Sequence, residues 1–321
     1  MIAKYYKKIN EKKIKCNLCP KSCIISKDQT GFCGIRKNKE NKLIPLGYNK
    51  ISSISIDPIE KKPLFHFYPN TNTLSIGGYG CNLDCDFCQN WQIARSNVKN
   101  DYIMKSDKII KKAITNNIEI ISYTYNEPLI NYEFIFETMK KSKKNNLKNV
   151  IVSNGYINKE PLSKISKYID GANIDIKGNK DFYKKYTKST LEPVLNSIKL
   201  LKKEGVWLEI TFLLIEGLND QKEFLKELKE FIISIDKNIP LHINRYFPQY
   251  KFKKSKTSEK RMKEVKKYFD KDLNYVYLGN INLKGYQDTS CPICEKVLIE
   301  RDNYKTKINK LNCHSKIKGE F

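Results

Sequence analysis

No stretch of this 321-residue chain approaches the roughly 18 consecutive apolar positions that a membrane-crossing helix requires. Its opening, "MIAKYYKKIN", lacks the apolar core of a secretory leader. A soluble cytoplasmic protein without membrane attachment is therefore expected. Internal repeats and low-complexity tracts are also missing. With 40% hydrophobic residues, 20 Tyr and 14 Phe, the chain has enough apolar material for a sizeable core, which excludes wholesale disorder.

Acidic residues are scarce: 35 Asp and Glu stand against 60 Lys and Arg, a formal net charge of +25. Such an excess raises nucleic-acid binding as a function. Lysine is spread over the whole length, however, and only 251–267, "KFKKSKTSEKRMKEVKK", is locally very basic. Solvated lysine heads account for that distribution as well as a binding stripe does.

Ten cysteines fall into three groups: Cys16, Cys19, Cys23 and Cys33; Cys81, Cys85 and Cys88; Cys291, Cys294 and Cys313. Short gaps in a chain without an export signal point to metal ligation in a reducing compartment, not to a disulfide framework. If the metal is iron–sulfur, low oxygen follows.

Between residues 74 and 280 short β-rich runs alternate with helically spaced segments. The runs are 73–78, 119–125, 149–155, 172–178, 206–217, 240–246 and 275–280; the clearest helical segments are 106–117, 128–146 and 219–235. Asn219 or Asp220 is the candidate N-cap of the last. The alternation specifies parallel strands joined by right-handed crossovers. Polar groups follow one strand after another: Cys81–Cys88, Asn126–Glu127, Ser153–Asn154, Lys177, Glu216 and Asn244–Arg245. A site assembled at the carboxyl rim of a barrel has that pattern, whereas an open sheet gathers its polar groups at one switch point. The expected fold is α/β, a partial (β/α) TIM-type barrel over 73–280. A small Cys-rich lobe with hairpins (1–72) precedes it, and a degenerate zinc-ribbon-like tail (281–321) follows.

The middle group, "GGYGCNLDCDFCQNWQIARS" (77–96), has three thiols and no fourth nearby. On a four-iron cubane, three thiolates leave one iron open to an exogenous ligand. Phe87 is placed to shield one side, and Gly77, Gly78 and Gly80 let backbone approach a bulky group. A zinc ion completed by a remote residue, and buried free thiols, are the competing readings.

The CxxxCxφC pattern of Cys81, Cys85, Phe87 and Cys88 resembles the radical S-adenosylmethionine (SAM) enzymes. That likeness implies a [4Fe-4S] cluster whose open iron chelates SAM, homolytic cleavage of SAM, and hydrogen abstraction from a substrate. It also implies an electron donor such as flavodoxin or ferredoxin. By the same likeness Asn126 and Glu127 in "YTYNEP" would bind the SAM ammonium group. Asn154, Asp175 and Lys177 would contact SAM, Lys177 at its carboxylate, and His242 would reach its adenine or ribose. Over nearly the whole chain, "CNLCPKSCIISKDQTGFCGIR", "DPIEKKPLFHFYP", "GCNLDCDFCQNWQIARS", "YTYNEP" and "DTSCPIC" resemble the radical SAM member of the AmmeMemoRadiSam system. That group is related to pyruvate formate-lyase activating enzymes and is associated with Memo-type and AMMECR-type proteins. A glycyl-radical-enzyme activase and a radical SAM RNA-modifying enzyme are the alternatives, and a zinc-knuckle binding module is the non-enzymatic rival.

Cys16, Cys19, Cys23 and Cys33 suffice for one tetrahedral zinc or an auxiliary iron–sulfur cluster, and the frequency of zinc in small knuckle domains tips the choice to zinc. In the tail, Lys310 stands where relatives carry a third cysteine. His314 is a substitute ligand whose adjacency to Cys313 makes joint ligation awkward, so a three-ligand site and no metal both stay open. Glu209 and Glu216 are candidate acid/base or substrate contacts.

Overall fold

The computed structural model describes residues 1–98, 102–302, 304–314 and 317–321. Two residues of the 310–321 tail segment, 315 and 316, therefore lie outside the described residues. Eight strands form the central sheet: β1 (Ser53–Pro58), β2 (Asn72–Gly77), β3 (Ile120–Thr124), β4 (Lys148–Ser153), β5 (Gly171–Ile176), β6 (Trp207–Leu214), β7 (Leu241–Arg245) and β8 (Val276–Gly279). They lie in sequence order, β1 antiparallel to β2 and every later neighbour parallel.

Each parallel step crosses through a helix: α1 (Ser106–Thr115), α2 (Tyr132–Lys144), α3 (Lys159–Ser166), α4 (Glu192–Lys203), α5 (Lys222–Ile235) and α6 (Glu259–Phe269). Every helix is amphipathic. In α5 the buried set is Phe224, Leu225, Leu228 and Ile232, the three-to-four spacing that lays one stripe against the sheet. Strand β3 is buried at all five positions, as a strand covered on both faces must be. Among the described residues β1 and β8 are sheet edges, so the barrel is partial.

The elements follow the sequence periodicity to within one to three residues at most ends. Two differences have local causes. The segment at 128–146 splits into a 3-10 turn at Pro128–Asn131 and then α2. At α5 neither Asn219 nor Asp220 is the cap; Gln221 is, without a side-chain bond. Asn219 instead accepts from the Ile215 N–H (2.7 Å) and donates to the carbonyls of Leu213 and Lys177, fastening the ends of β6 and β5 together. Asp220 accepts from the Gly217 N–H and the Arg261 side chain.

Antiparallel strands at Tyr6–Lys8, Lys13–Cys16 and Ile24–Ser26 form a small sheet at the N-terminus, and Arg36–Lys39 pairs with Lys42–Pro45. A buried ion pair joins this lobe to α2. Arg36 donates through Nη1 to Glu133 Oε2 (3.0 Å), and the Lys4 N–H donates to Glu133 Oε1 (2.7 Å). The tail forms strands at Thr289–Ser290, Val297–Asp302 and Lys305–Ile308. No helix of the described residues is long and apolar enough to cross a membrane.

Candidate functional site

Past the end of β2 the chain turns through Gly77–Gly80 into the three-cysteine loop. Gly80 has φ +79°, and a Cβ there would lie 2.3 Å from the Cys33 carbonyl oxygen, so only glycine permits this approach to the N-terminal lobe. Asn126 fixes the loop from the end of β3. Its Oδ1 accepts from the Gly78 N–H (3.0 Å), and its Nδ2 donates to the carbonyls of Tyr79 and Gly80 (3.1 and 2.9 Å). The side chain expected to face a ligand ammonium is therefore already engaged with the loop.

Glu127 is engaged in the same way. Its carboxylate accepts from the Leu129 N–H, the Asn154 N–H and the Ser153 hydroxyl, tying the ends of β3 and β4 together. Burial pushes its carboxyl up to about 7, against the pull of these donors. Asn154 donates to Asn82 Oδ1 at 3.0 Å, and its Nδ2 stands 3.6 Å from Cys81 Sγ.

Cys81, Cys85 and Cys88 line a cavity of about 370 Å³, within the range of small-molecule sites. The ends of successive strands supply the remaining wall: Asn126 and Glu127; Ser153 and Asn154; Asn173, Asp175 and Lys177; Thr211; His242 and Asn244. Lys177 pairs with Asp175 at 3.0 Å. Burial would lower the Lys177 ammonium, but Asp175 beside it more than offsets that and holds it above the ordinary lysine range. Burial pushes the Cys85 thiol up to about 12, so a bound cation is needed to hold it as thiolate. Phe87 is buried against Phe182 and Phe252, forming an apolar wall beside the loop.

Two wall residues escaped the sequence reading. Asn173 Oδ1 on β5 and Thr211 Oγ1 on β6 are buried without a hydrogen-bond partner, and both residues line the cavity. Orphaned buried polar atoms facing a cavity await a ligand's donors and acceptors. Nothing in the local sequence sets either apart from an ordinary strand residue.

Glu209 and Glu216 do not line the cavity. Glu209 is fully buried and accepts four hydrogen bonds: from the N–H groups of Phe65 (2.9 Å) and His66 (2.8 Å), from Trp207 Nε1 (3.1 Å) and from His242 Nε2 (2.6 Å). His242 thus reaches the cavity with its Nε2 already bonded to Glu209. Glu216 accepts from the Ser258 N–H at the start of α6.

His66, also fully buried, bonds Tyr277 Oη (2.6 Å) and the Lys318 carbonyl (2.7 Å), linking the barrel to the tail. Burial lowers its pKa from 6.5 to about 4. As pH falls below 6.5 the unfolded chain takes up this proton first, so the folded state loses stability down to about pH 4. Urea unfolding at pH 5 should give a stability about 2 kcal/mol below that at pH 7 from this group, and a His66→Gln variant should lose that increment.

The tail corrects one expectation. The ligand atoms of Cys291, Cys294, Cys313 and His314 all lie within 4.8 Å of one another. Adjacency to Cys313 does not keep His314 away: its Nδ1 is 3.4 Å from Cys313 Sγ and 3.8 Å from Cys291 Sγ. His314 takes the place of the cysteine missing at Lys310, and a Cys3His donor set with this spacing suits one tetrahedral metal ion. Cys16, Cys19, Cys23 and Cys33 line a second, smaller cavity.

Comparison with known proteins gives four findings. The profile of the Radical SAM superfamily matches residues 75–229. The chain is 42% identical to the uncharacterized protein MJ0808 of Methanocaldococcus jannaschii, covering 98% of this chain and 95% of that one. It is 32% identical over 128 residues to the 4-hydroxyphenylacetate decarboxylase activating enzyme of Clostridium scatologenes, covering 39% of this chain and 40% of that one. In fold it is similar to a radical SAM methyltransferase from Sphaerobacter thermophilus, with a TM-score of 0.52 at 13% identity over 72% of this chain and 71% of that one.

Proposed function

The chain belongs to the radical SAM superfamily, and from that premise we propose that Cys81, Cys85 and Cys88 hold three irons of a [4Fe-4S] cluster whose fourth iron takes SAM in the adjoining cavity. The observation that carries this reading is the placement of the three thiols on the wall of the cavity that Lys177 also lines. The donor set fits: three thiols stand on the wall of one cavity, and unpartnered Asn173 and Thr211 atoms await a polar ligand. When bound, cluster and SAM supply reductive cleavage of the sulfonium and a 5′-deoxyadenosyl radical that takes hydrogen from substrate.

The chain's own residues bind and orient. Lys177, aimed by Asp175, meets the SAM carboxylate, and the Asn173 carbonyl and Thr211 hydroxyl accept and donate further along the cavity. Asn154 stands by Cys81, and His242 presents its ring toward the sugar or base while Glu209 holds it. Asn126 and Glu127 position the loop and the ends of β3 and β4. Phe87, Phe182 and Phe252 exclude water from one side.

The test is anaerobic reconstitution with iron and sulfide, then reduction with SAM present. Formation of 5′-deoxyadenosine supports the reading; a colourless, iron-free protein, or a fourth protein ligand on the cluster, overturns it. In the same assay Lys177→Met should raise the SAM concentration for half-saturation by about ten- to a hundredfold, the worth of one charge-assisted hydrogen bond.

The hydrogen donor in this reading belongs to a partner protein, in keeping with the motif resemblance to the AmmeMemoRadiSam system and its Memo-type and AMMECR-type partners. A glycyl-radical-enzyme substrate is the second reading, favoured by the 128-residue similarity to an activating enzyme. Solvent-deuterium labelling of each candidate protein separates them. An RNA substrate would instead reveal itself as strongly salt-dependent retention of transfer RNA. The Cys3His set of the tail holds one structural zinc.

A further inference from the structure

We propose that the outer face of the three-cysteine loop is the docking surface for an acidic one-electron carrier protein. The inference rests on the cluster reading above: each reductive cleavage of SAM consumes one electron, so the carrier loses one as the cluster gains one. The three cysteines line the cavity, whereas Asp84 and Asp86, which flank Cys85, do not. Two segments from far along the chain clamp that outer side. The Asp84 and Asp86 N–H groups donate to the carbonyls of Thr187 and Tyr186 (both 3.0 Å), and the Lys251 N–H donates to the Asp86 carbonyl (3.0 Å). Phe252 packs against Tyr186 and Phe87, with ring centroids 5.4 and 6.1 Å away, which joins loop and clamps into one surface.

Both clamps are basic. Lys184, Lys185 and Lys188 on one, and Lys253, Lys254 and Lys256 on the other, are all exposed. Lys21 of the N-terminal lobe joins them, its ammonium bonded to the Lys188 carbonyl. The loop's own carboxylates are already spent: Asp84 pairs with Arg95 and Lys251, and Asp86 lies 3.8 Å from Lys251. Aromatic rings stand among the cations. Phe32 is 39% exposed, with Lys21 Nζ 4.0 Å and the Arg95 guanidinium 5.3 Å from its ring centre. Trp91 stacks on Tyr250, centroids 5.1 Å apart. Aromatic and arginine contacts inside a charged rim are the composition of a protein interface. The sign of the rim selects an acidic partner and speeds its encounter. RNA carries the same sign, but an RNA substrate has to reach the cavity, and Phe32, Trp91, Lys184 and Lys254 all stand outside its wall. A carrier needs only to approach the loop that holds the cluster.

The test drives SAM cleavage by the reconstituted full chain with three reductants: an acidic flavodoxin, an acidic ferredoxin, and photoreduced 5-deazariboflavin, which is small and neutral. The loop variant carries Lys184→Glu, Lys185→Glu, Lys253→Glu and Lys254→Glu. At sub-saturating carrier protein it should form 5′-deoxyadenosine at least about tenfold more slowly than wild type and lose most of the dependence on salt, while the deazaflavin-driven rate stays within about twofold. A helix variant with the same charge change on α1 and α2, Lys111→Glu, Lys112→Glu, Lys140→Glu and Lys144→Glu, should keep all three rates within about twofold of wild type. Unchanged carrier-driven rates in the loop variant overturn the inference, and lost retention of transfer RNA alongside them would assign the surface to RNA. An equal loss in the helix variant, or a wild type that deazaflavin drives and neither carrier does, overturns it too. A wild type inert with all three reductants overturns the cluster reading, and this inference with it.

Discussion

Cys88→Ala should abolish SAM cleavage, lowering 5′-deoxyadenosine formation by at least about 10³-fold, because the radical chemistry belongs to the cofactor and the protein has no substitute for it. The loop has no spare ligand. Asp84 is taken by Arg95 and Lys251, and Asp86 lies against Lys251. Asn82 and Asn90 are engaged with the carbonyls of Tyr156 and Tyr125. Iron and sulfide content should therefore fall together with activity, while the far-UV spectrum stays near wild type, since the loop contributes only the short Trp91–Ala94 helix. Turnover within tenfold of wild type would refute the assignment of Cys88.

Glu209→Ala should cost about 3–5 kcal/mol of stability, the penalty for stripping one partner from a buried charged network. Four donors converge on this carboxylate, two of them backbone N–H groups of Phe65 and His66. Removing it leaves all four orphaned where water does not reach. Glu209→Gln keeps the shape but presents an amide donor to other donors, so it should fall between alanine and wild type. Burial works to raise the carboxyl, but the bond to His242 outweighs it and holds Glu209 below the usual carboxylate range. Its stabilising contribution is thus present above that range and is lost as pH falls through it. Urea unfolding at pH 7 reads the difference; an alanine variant within 1 kcal/mol of wild type would contradict this account.

The barrel was legible because its strands are continuous β-rich runs and its helices carry apolar stripes at a fixed period. Those signals are local, and the elements sit where they place them. The three-cysteine loop stood out for a similar reason: Cys81, Cys85 and Cys88 fall within eight residues of one another. What the sequence concealed depends on partners far along the chain. Glu209 reads as a rim carboxylate until Phe65 and His66, more than 140 residues away, are seen to donate to it. Thr211 and Asn173 look like ordinary strand residues, since nothing local says their polar atoms lack partners. Adjacency makes joint ligation by Cys313 and His314 look awkward in the sequence; a bend at 313–314 brings both donors to one side. Asn126 and Glu127 fall at the expected strand end, yet their atoms hold the loop and the neighbouring strand in place.

The Arg36–Glu133 pair makes the N-terminal lobe indispensable in a way its size does not suggest. A shortened chain beginning after residue 36 would lose both the guanidinium and the Lys4 N–H that bond Glu133 in the first turn of α2, and would bare the face of that helix which the lobe covers. Trimming this protein to its barrel for expression or crystallisation is therefore expected to cost stability.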